Sequence, residues 1–117
     1  MKETLDFDSL TKLYYSIGEV SELLGISASN IRYWEKEFPK LKPKKDKRGN
    51  RKFTVDDIKL LRAIEELVKD RGFTIEGARK KLQTDGVGKV RQQHEALERL
   101  GYVKSELQKI LRTMQSH

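Results

Sequence analysis

Between Ser16 and Pro39 the sequence sets two short helices either side of a three-residue turn, and no other feature narrows the fold as much. Ser16-Ile-Gly-Glu19 has the capping-box pattern, a Ser N-cap answered by Glu three residues on. Ile17, Val20, Leu23 and Leu24 follow at helical spacing. Gly25 then stands where a chain leaves a helix through positive φ. Ser27 offers the next N-cap. Ile31, Trp34 and Phe38 form an apolar stripe, and Pro39 stops the helix. Two short helices joined through Gly25-Ile26-Ser27 give the outline of a helix-turn-helix.

The segment that follows is basic. Lys40 to Lys52 reads KLKPKKDKRGNRK and sets eight cations against Asp46 alone. This run accounts for the whole formal charge of +7, and the rest of the chain balances. Pro43 and Arg48-Gly49-Asn50-Arg51 are turn signals, and Lys52-Phe53-Thr54-Val55 has strand character. A two-stranded hairpin, or wing, over about 40–53 fits better than an unstructured loop.

Thr54-Val-Asp-Asp57 caps a third helix with Ile58, Leu61, Ile64, Leu67 and Val68 on its apolar face and Gly72 at its end. Thr74 starts a fourth, along which lie Ile75, Ala78, Arg79 and Leu82. Thr84-Asp-Gly-Val-Gly88 reads as a linker. From Lys89 to Met114 the residues Val90, Leu97, Leu100, Leu107, Leu111 and Met114 fall on a three-four repeat. Some 26 residues of helix reach roughly 39 Å. So narrow a stripe suits a coiled-coil seam. Lys104 on a core position and Gly101, which costs ~1 kcal/mol relative to Ala, interrupt that seam. The expected layout is a lead over 1–14, in which Phe7, Leu10 and Tyr14 share one face of a helical turn, and a compact domain over 15–83. A linker over 84–88 and a dimerisation helix over 89–117 complete it. The fold class is mainly α: a winged helix-turn-helix with a long C-terminal dimerisation helix.

Composition closes off several kinds of chemistry. At 117 residues, with 36% hydrophobic and 37% charged residues, the core is small and the helices are solvated. The absence of cysteine excludes disulfides, zinc fingers, Fe–S clusters and thiol nucleophiles. No stretch approaches a transmembrane helix, and the N-terminus lacks the apolar region of a signal peptide. Asp56-Asp57 and Glu65-Glu66 are adjacent acids, which on a helix point to different faces. His94 and His117 have no nucleophile or ligand constellation around them. Gly86-Val-Gly88-Lys89 lacks the spacing and hydroxyl of a phosphate loop. Neither an enzyme nor a bound cofactor or metal is expected, and a cytoplasmic, nucleoid-associated protein without membrane contact is.

The partner that fits is double-stranded DNA. The second helix of a helix-turn-helix enters the major groove with its N-terminal residues at the base edges. Arg32 can fork onto guanine and Asn30 can bond adenine. Ser29, Tyr33 and Lys36 reach phosphate, which sets register. Ser16 and Ser27 place phosphates at two helix starts. Lys44, Lys45, Lys47, Arg48 and Arg51 of the wing meet the backbone and release counterions. Arg48 to Arg51 at its tip can reach a narrow minor groove. A lysine run on its own is as often a solvated loop; its place directly after a helix-turn-helix favours nucleic acid.

Tyr15-Ser-Ile-Gly-Glu-Val, Gly25-Ile-Ser, Ile31-Arg-Tyr-Trp-Glu35, Pro43, Gly49-Asn-Arg-Lys-Phe53, Asp57-Ile58, Leu61 and Arg71-Gly-Phe-Thr-Ile-Glu76 resemble, in that order, the MerR family of bacterial transcription regulators. The resemblance runs from Tyr15 to about Leu82. It implies a winged helix-turn-helix head and a long helix that pairs as an antiparallel coiled coil. It implies a pseudo-palindromic promoter site that is kinked and untwisted, with RNA polymerase as a further partner there. Arg32 and Tyr33 match the family's recognition-helix pair, Arg51 its wing arginine, and Phe53 the aromatic that packs the wing. Trp34 stands where a second Tyr is usual, Asn50 where Tyr is common, and the chain is one residue longer before Pro43. The cysteines of metal-sensing members are absent, and after Met114 only Gln-Ser-His follow, so the expectation is a short form without a ligand-binding domain. Two other readings stand beside it: an architectural or recombination accessory protein that bends DNA, and a helical protein-interaction module.

Overall fold

The computed structural model describes residues 5–115. Its first helices form as their caps dictate. Helix α1 spans Ile17–Leu24, and α2 spans Ala28–Glu37. The Ser16 hydroxyl accepts the Glu19 N–H while the Glu19 carboxylate accepts the Ser16 N–H, both at 3.1 Å. Gly25 takes the left-handed conformation (φ 67°) that ends α1, a region costing other residues roughly 1–2 kcal/mol. The Ser21 hydroxyl donates to the Ile26 carbonyl at 2.6 Å and holds the turn. Ser27 then caps α2 by accepting the Asn30 N–H at 3.1 Å.

The wing is a hairpin of β1 (Lys44–Lys45) and β2 (Arg51–Lys52), antiparallel, with Lys44 opposite Lys52 and Lys45 opposite Arg51. Its base is stitched to the helix-turn-helix. Tyr15 and Phe53 exchange both backbone hydrogen bonds at 2.8 Å, and both side chains are buried.

Helix α3 (Val55–Glu65) starts in a second capping box, Thr54 with Asp57, and continues through a π-helical turn over Glu66–Asp70. Every side chain from Leu60 to Leu67 is buried. Val20, Ile31, Trp34 and Phe53 join Ile58, Leu61, Ile64 and Leu67 in one core. Ahead of α1, a single 3-10 turn over Phe7–Ser9 brings Phe7 and Leu10 against this core. Tyr14, expected on the same face, instead lies under the Lys52 amine, 5.6 Å from the ring centre.

Helix α4 runs over Ile75–Gln115 and is broken once, at Gly86 (φ 79°, ψ 167°). The expected linker of five residues narrows to that one. Lys81 pairs with Asp85 at 2.6 Å one turn back, so helix persists right up to the break. Head packing also runs past residue 83. Val90, expected in the dimer seam, is completely buried in the core of its own head. Its spacing to Leu97 fits a heptad, but a turn this close to the break faces α3. His94 is buried beside it. From Glu95 onward the helix leaves the head, and of its described residues all but the half-buried Glu106 are exposed.

Charges are trapped where α4 crosses the π-helical turn. Arg91 stacks on the Phe7 ring, 4.6 Å from its centre, and its Nε lies 3.6 Å from the buried Glu66 carboxylate. Glu66 Oε2 has no hydrogen-bond partner among the described residues. Burial pushes the Glu66 carboxyl above its ordinary range, against the pull of Arg91. A carboxyl raised on folding favours the native state below its unfolded value near 4.5 and loses that advantage as pH rises through the folded value. Glu66→Gln is therefore expected to gain stability relative to the parent as pH rises. Urea unfolding at pH 5 and pH 8 measures this, and an equal difference at both values would refute it.

Candidate nucleic-acid interface

The stripe that buries α2 fixes what it presents. With Ile31 and Trp34 in the core, 3.6 residues per turn puts Ser29, Arg32, Tyr33 and Lys36 outside. All four are exposed, Tyr33 by 48%. Asn30 is half-buried, with its backbone in the cap. The oxygens of Ser16 and Ser27 are engaged as cap acceptors. Each hydroxyl keeps its proton to donate, so these residues sit at helix starts as expected, with less freedom than a free side chain.

Lys44, Lys45, Lys47 and Arg48 are all exposed, and none forms an ion pair with a described residue. Arg51 is different. Its Nε donates to Glu35 Oε2 at 2.5 Å, with both side chains largely covered. The wing arginine thus bolts the hairpin to the recognition helix instead of standing free beside the lysines. Glu35 is a site residue that sequence reasoning missed, since its partner lies 16 positions away and spacing along one helix cannot announce it. Two more contacts hold α2 from other sides. Glu37 meets Arg79 of α4 at 3.5 Å. The Lys69 amine lies 5.7 Å from the Trp34 ring centre.

Asp46 was the lone acid of the basic run, and it turns out to build the tip. Its carboxylate accepts the Arg48 N–H at 2.8 Å, the Asn50 N–H at 2.9 Å and the Asn50 side-chain amide at 3.3 Å. Those donors, Asn50's first, hold its carboxyl below the usual range. Gly49 (φ 82°) closes the turn by donating to the Asp46 carbonyl. The turn itself was legible from Arg48-Gly49-Asn50-Arg51; the part Asp46 plays in holding it was not read from the sequence.

A helix-turn-helix with its outer face clear, flanked by a rigid cationic hairpin, is built to lie along a duplex. The model of the MerR helix-turn-helix family of regulatory proteins matches residues 15–85, over half of the chain. The chain belongs to the MerR family. Residues 15–85 carry that family's regulatory helix-turn-helix domain, and the relative it matches is bacterial. The HTH-type transcriptional regulator TnrA of Bacillus subtilis is 41% identical over 61 residues, covering 52% of this chain and 54% of TnrA. The chain thus spans about half the length of that curated relative. A MerR-family transcriptional regulator from Bacillus thuringiensis has a similar structure, with a TM-score of 0.53 at 25% identity over 89% of this chain and 99% of that one. HiNmlR, a MerR family regulator lacking the sensor domain and solved bound to promoter DNA, gives 0.55 at 23% identity over 87% and 79%. At that identity the likeness is one of fold. No described helix is long and apolar enough to cross a membrane.

The Glu35–Arg51 pair carries a prediction for this MerR-family head. Glu35→Ala leaves a partly buried guanidinium without its acceptor, which costs about 1–3 kcal/mol. Amide exchange across 44–53 is expected to quicken while exchange in α1 stays unchanged. Unaltered wing protection in the variant would show that the pair does not hold the hairpin.

Proposed function

We propose that this MerR-family protein binds a pseudo-palindromic promoter site as a homodimer joined through the C-terminal helix, and distorts that DNA. The observation that carries the reading is the outward set on α2 beside the unpaired cations of the wing. Arg32 and Asn30 read base edges in the major groove. Ser16, Ser27, Ser29, Tyr33 and Lys36 take phosphates and fix register. Lys44, Lys45, Lys47 and Arg48 lie along the backbone and supply most of the affinity. Arg51 acts indirectly, by aiming the wing through Glu35. Two heads held by one dimer contact two half-sites, and a promoter bent between them is presented to RNA polymerase in the nucleoid. That HiNmlR was solved on promoter DNA supports the choice of partner.

Arg32→Ala is expected to cost ~1–3 kcal/mol in binding and to relax base preference at one position of each half-site. A titration against randomised sites that shows unchanged affinity and preference would sink the recognition-helix assignment. The wing makes a separate prediction. Some six wing–phosphate contacts in a dimer give a log–log salt slope of roughly −5. Changing Lys44, Lys45, Lys47 and Arg48 to Gln together should weaken all DNA about equally and flatten that slope. A slope that does not move would remove the wing from the phosphate contact.

A further inference from the structure

The segment ahead of α1 lies outside the residues that match the MerR family, 15–85, yet it is tied down at both ends. Asp6 closes its 3-10 turn: the carboxylate accepts the Asp8 N–H at 3.0 Å, and the carbonyl accepts the Ser9 hydroxyl at 2.6 Å. The turn sets Phe7 and Leu10 against the core, where Leu5 joins them. At the other end the Lys12 amine meets the Glu19 carboxylate at 2.5 Å, and the Lys12 N–H donates to the Tyr15 hydroxyl at 3.0 Å. Glu19 is half of the box that caps α1, and Tyr15 is half of the backbone pair that anchors the wing.

Phe7 meets α4 at Arg91, five residues past the break at Gly86. The Arg91 side chain stands between two groups from different elements, the Phe7 ring and the Glu66 carboxylate of the π-helical turn. A planar guanidinium stacked on an aromatic face and drawn to a carboxylate is restrained in direction by both. The break itself supplies no such restraint. No other element comes within 4 Å of the place a Cβ would take at Gly86. The path of α4 therefore depends on contacts made just beyond the glycine. Val90 and His94 bury themselves in the head there. Phe7 adds a contact that originates outside the family's domain.

We propose that Phe7 is a positioning residue: by clasping Arg91 it fixes the direction in which α4 leaves the head, and so narrows the range of half-site spacings the protein accepts. The spacing part rests on the dimer reading above; the clasp does not. Each base pair added between half-sites moves the second by about 3.4 Å and turns it by roughly 35°. Heads aimed in one direction meet one spacing best. Heads free to swing about Gly86 meet several nearly equally.

The sequence contains no cysteine, so nitroxide labels can be placed without background through Glu22→Cys on α1 and Ser105→Cys on α4, both exposed positions. Labelled chains are diluted with unlabelled ones, so that distances within one chain are read. A narrow distance distribution is expected with Phe7 in place, a wider one after Phe7→Ala, and a narrow one again after Phe7→Tyr, which keeps the ring. An equally narrow distribution in Phe7→Ala would overturn the clasp. Phe7→Tyr behaving like Phe7→Ala would overturn the part given to the ring. The second measurement titrates duplexes whose half-sites stand one or two base pairs closer or further apart. Phe7→Ala is expected to lose roughly three- to tenfold of the preference for the best spacing, with base preference inside each half-site unchanged. Unchanged spacing preference beside a widened distribution would overturn the link to DNA. If the unaltered chain binds one isolated half-site as tightly as two, the dimer reading and the spacing role fall together, and the distance measurement alone decides the clasp.

Discussion

A stretch of helix covered on every side must find partners for whatever charges it carries, and residues 60–67, where α3 runs into its π-helical extension, are such a stretch. Helix α4 packs along α3 and this extension, and Val20, Ile31, Trp34 and Phe53 from α1, α2 and the base of the wing share one core with their Ile58, Leu61, Ile64 and Leu67. Yet the covered stretch carries Arg62, Glu65 and Glu66. Arg62 and Glu65 answer each other at 2.5 Å, three residues apart. Breaking a buried pair of this kind leaves an uncompensated charge, a cost of several kcal/mol. Glu66 has to look outward to Arg91 of α4. The geometry of the head and the path of the long helix are therefore linked through the polar side chains of one central helix.

Much of the fold was legible because its signals are local. Ser16 with Glu19, Ser27, and Thr54 with Asp57 are caps that any reader of the chain can place, and each forms as expected. The inward stripe of Ile31, Trp34 and Phe38 follows from period alone and decides which α2 residues face outward. The π-helical turn was not legible. It lies where α4 crosses at Glu66, and no residue spacing in the sequence marks it. Val90 misled for a related reason. A heptad position states only that a residue faces one way, and its own head claimed that face before a partner reached it.

The site shows the same division. Arg32, Tyr33 and the wing lysines are where the sequence put them, since an exposed cation in a turn needs nothing beyond the turn. Arg51 needed the tertiary structure, because its neighbour Glu35 comes from another element. The wing that results has two kinds of charge: fixed ones that hold it, Arg51 and Asp46, and free ones that face outward. Treating the basic run as a uniform field hides that distinction. Opposed charges such as Asp46 are what allow so many like charges to sit on one short hairpin in a defined shape.

Gly86 has a mechanical consequence. Beyond His94 the free part of α4 is some 20 residues, or about 30 Å, of stiff rod. Its direction relative to the head is set by two torsions at one glycine and by the packing of Val90 and His94 just past it. A lever of that length turns a tilt of ten degrees into a displacement of about 5 Å at its tip. Any tilt admitted by the packing of Arg91 on Phe7 and Glu66 is magnified along the rod in the same proportion.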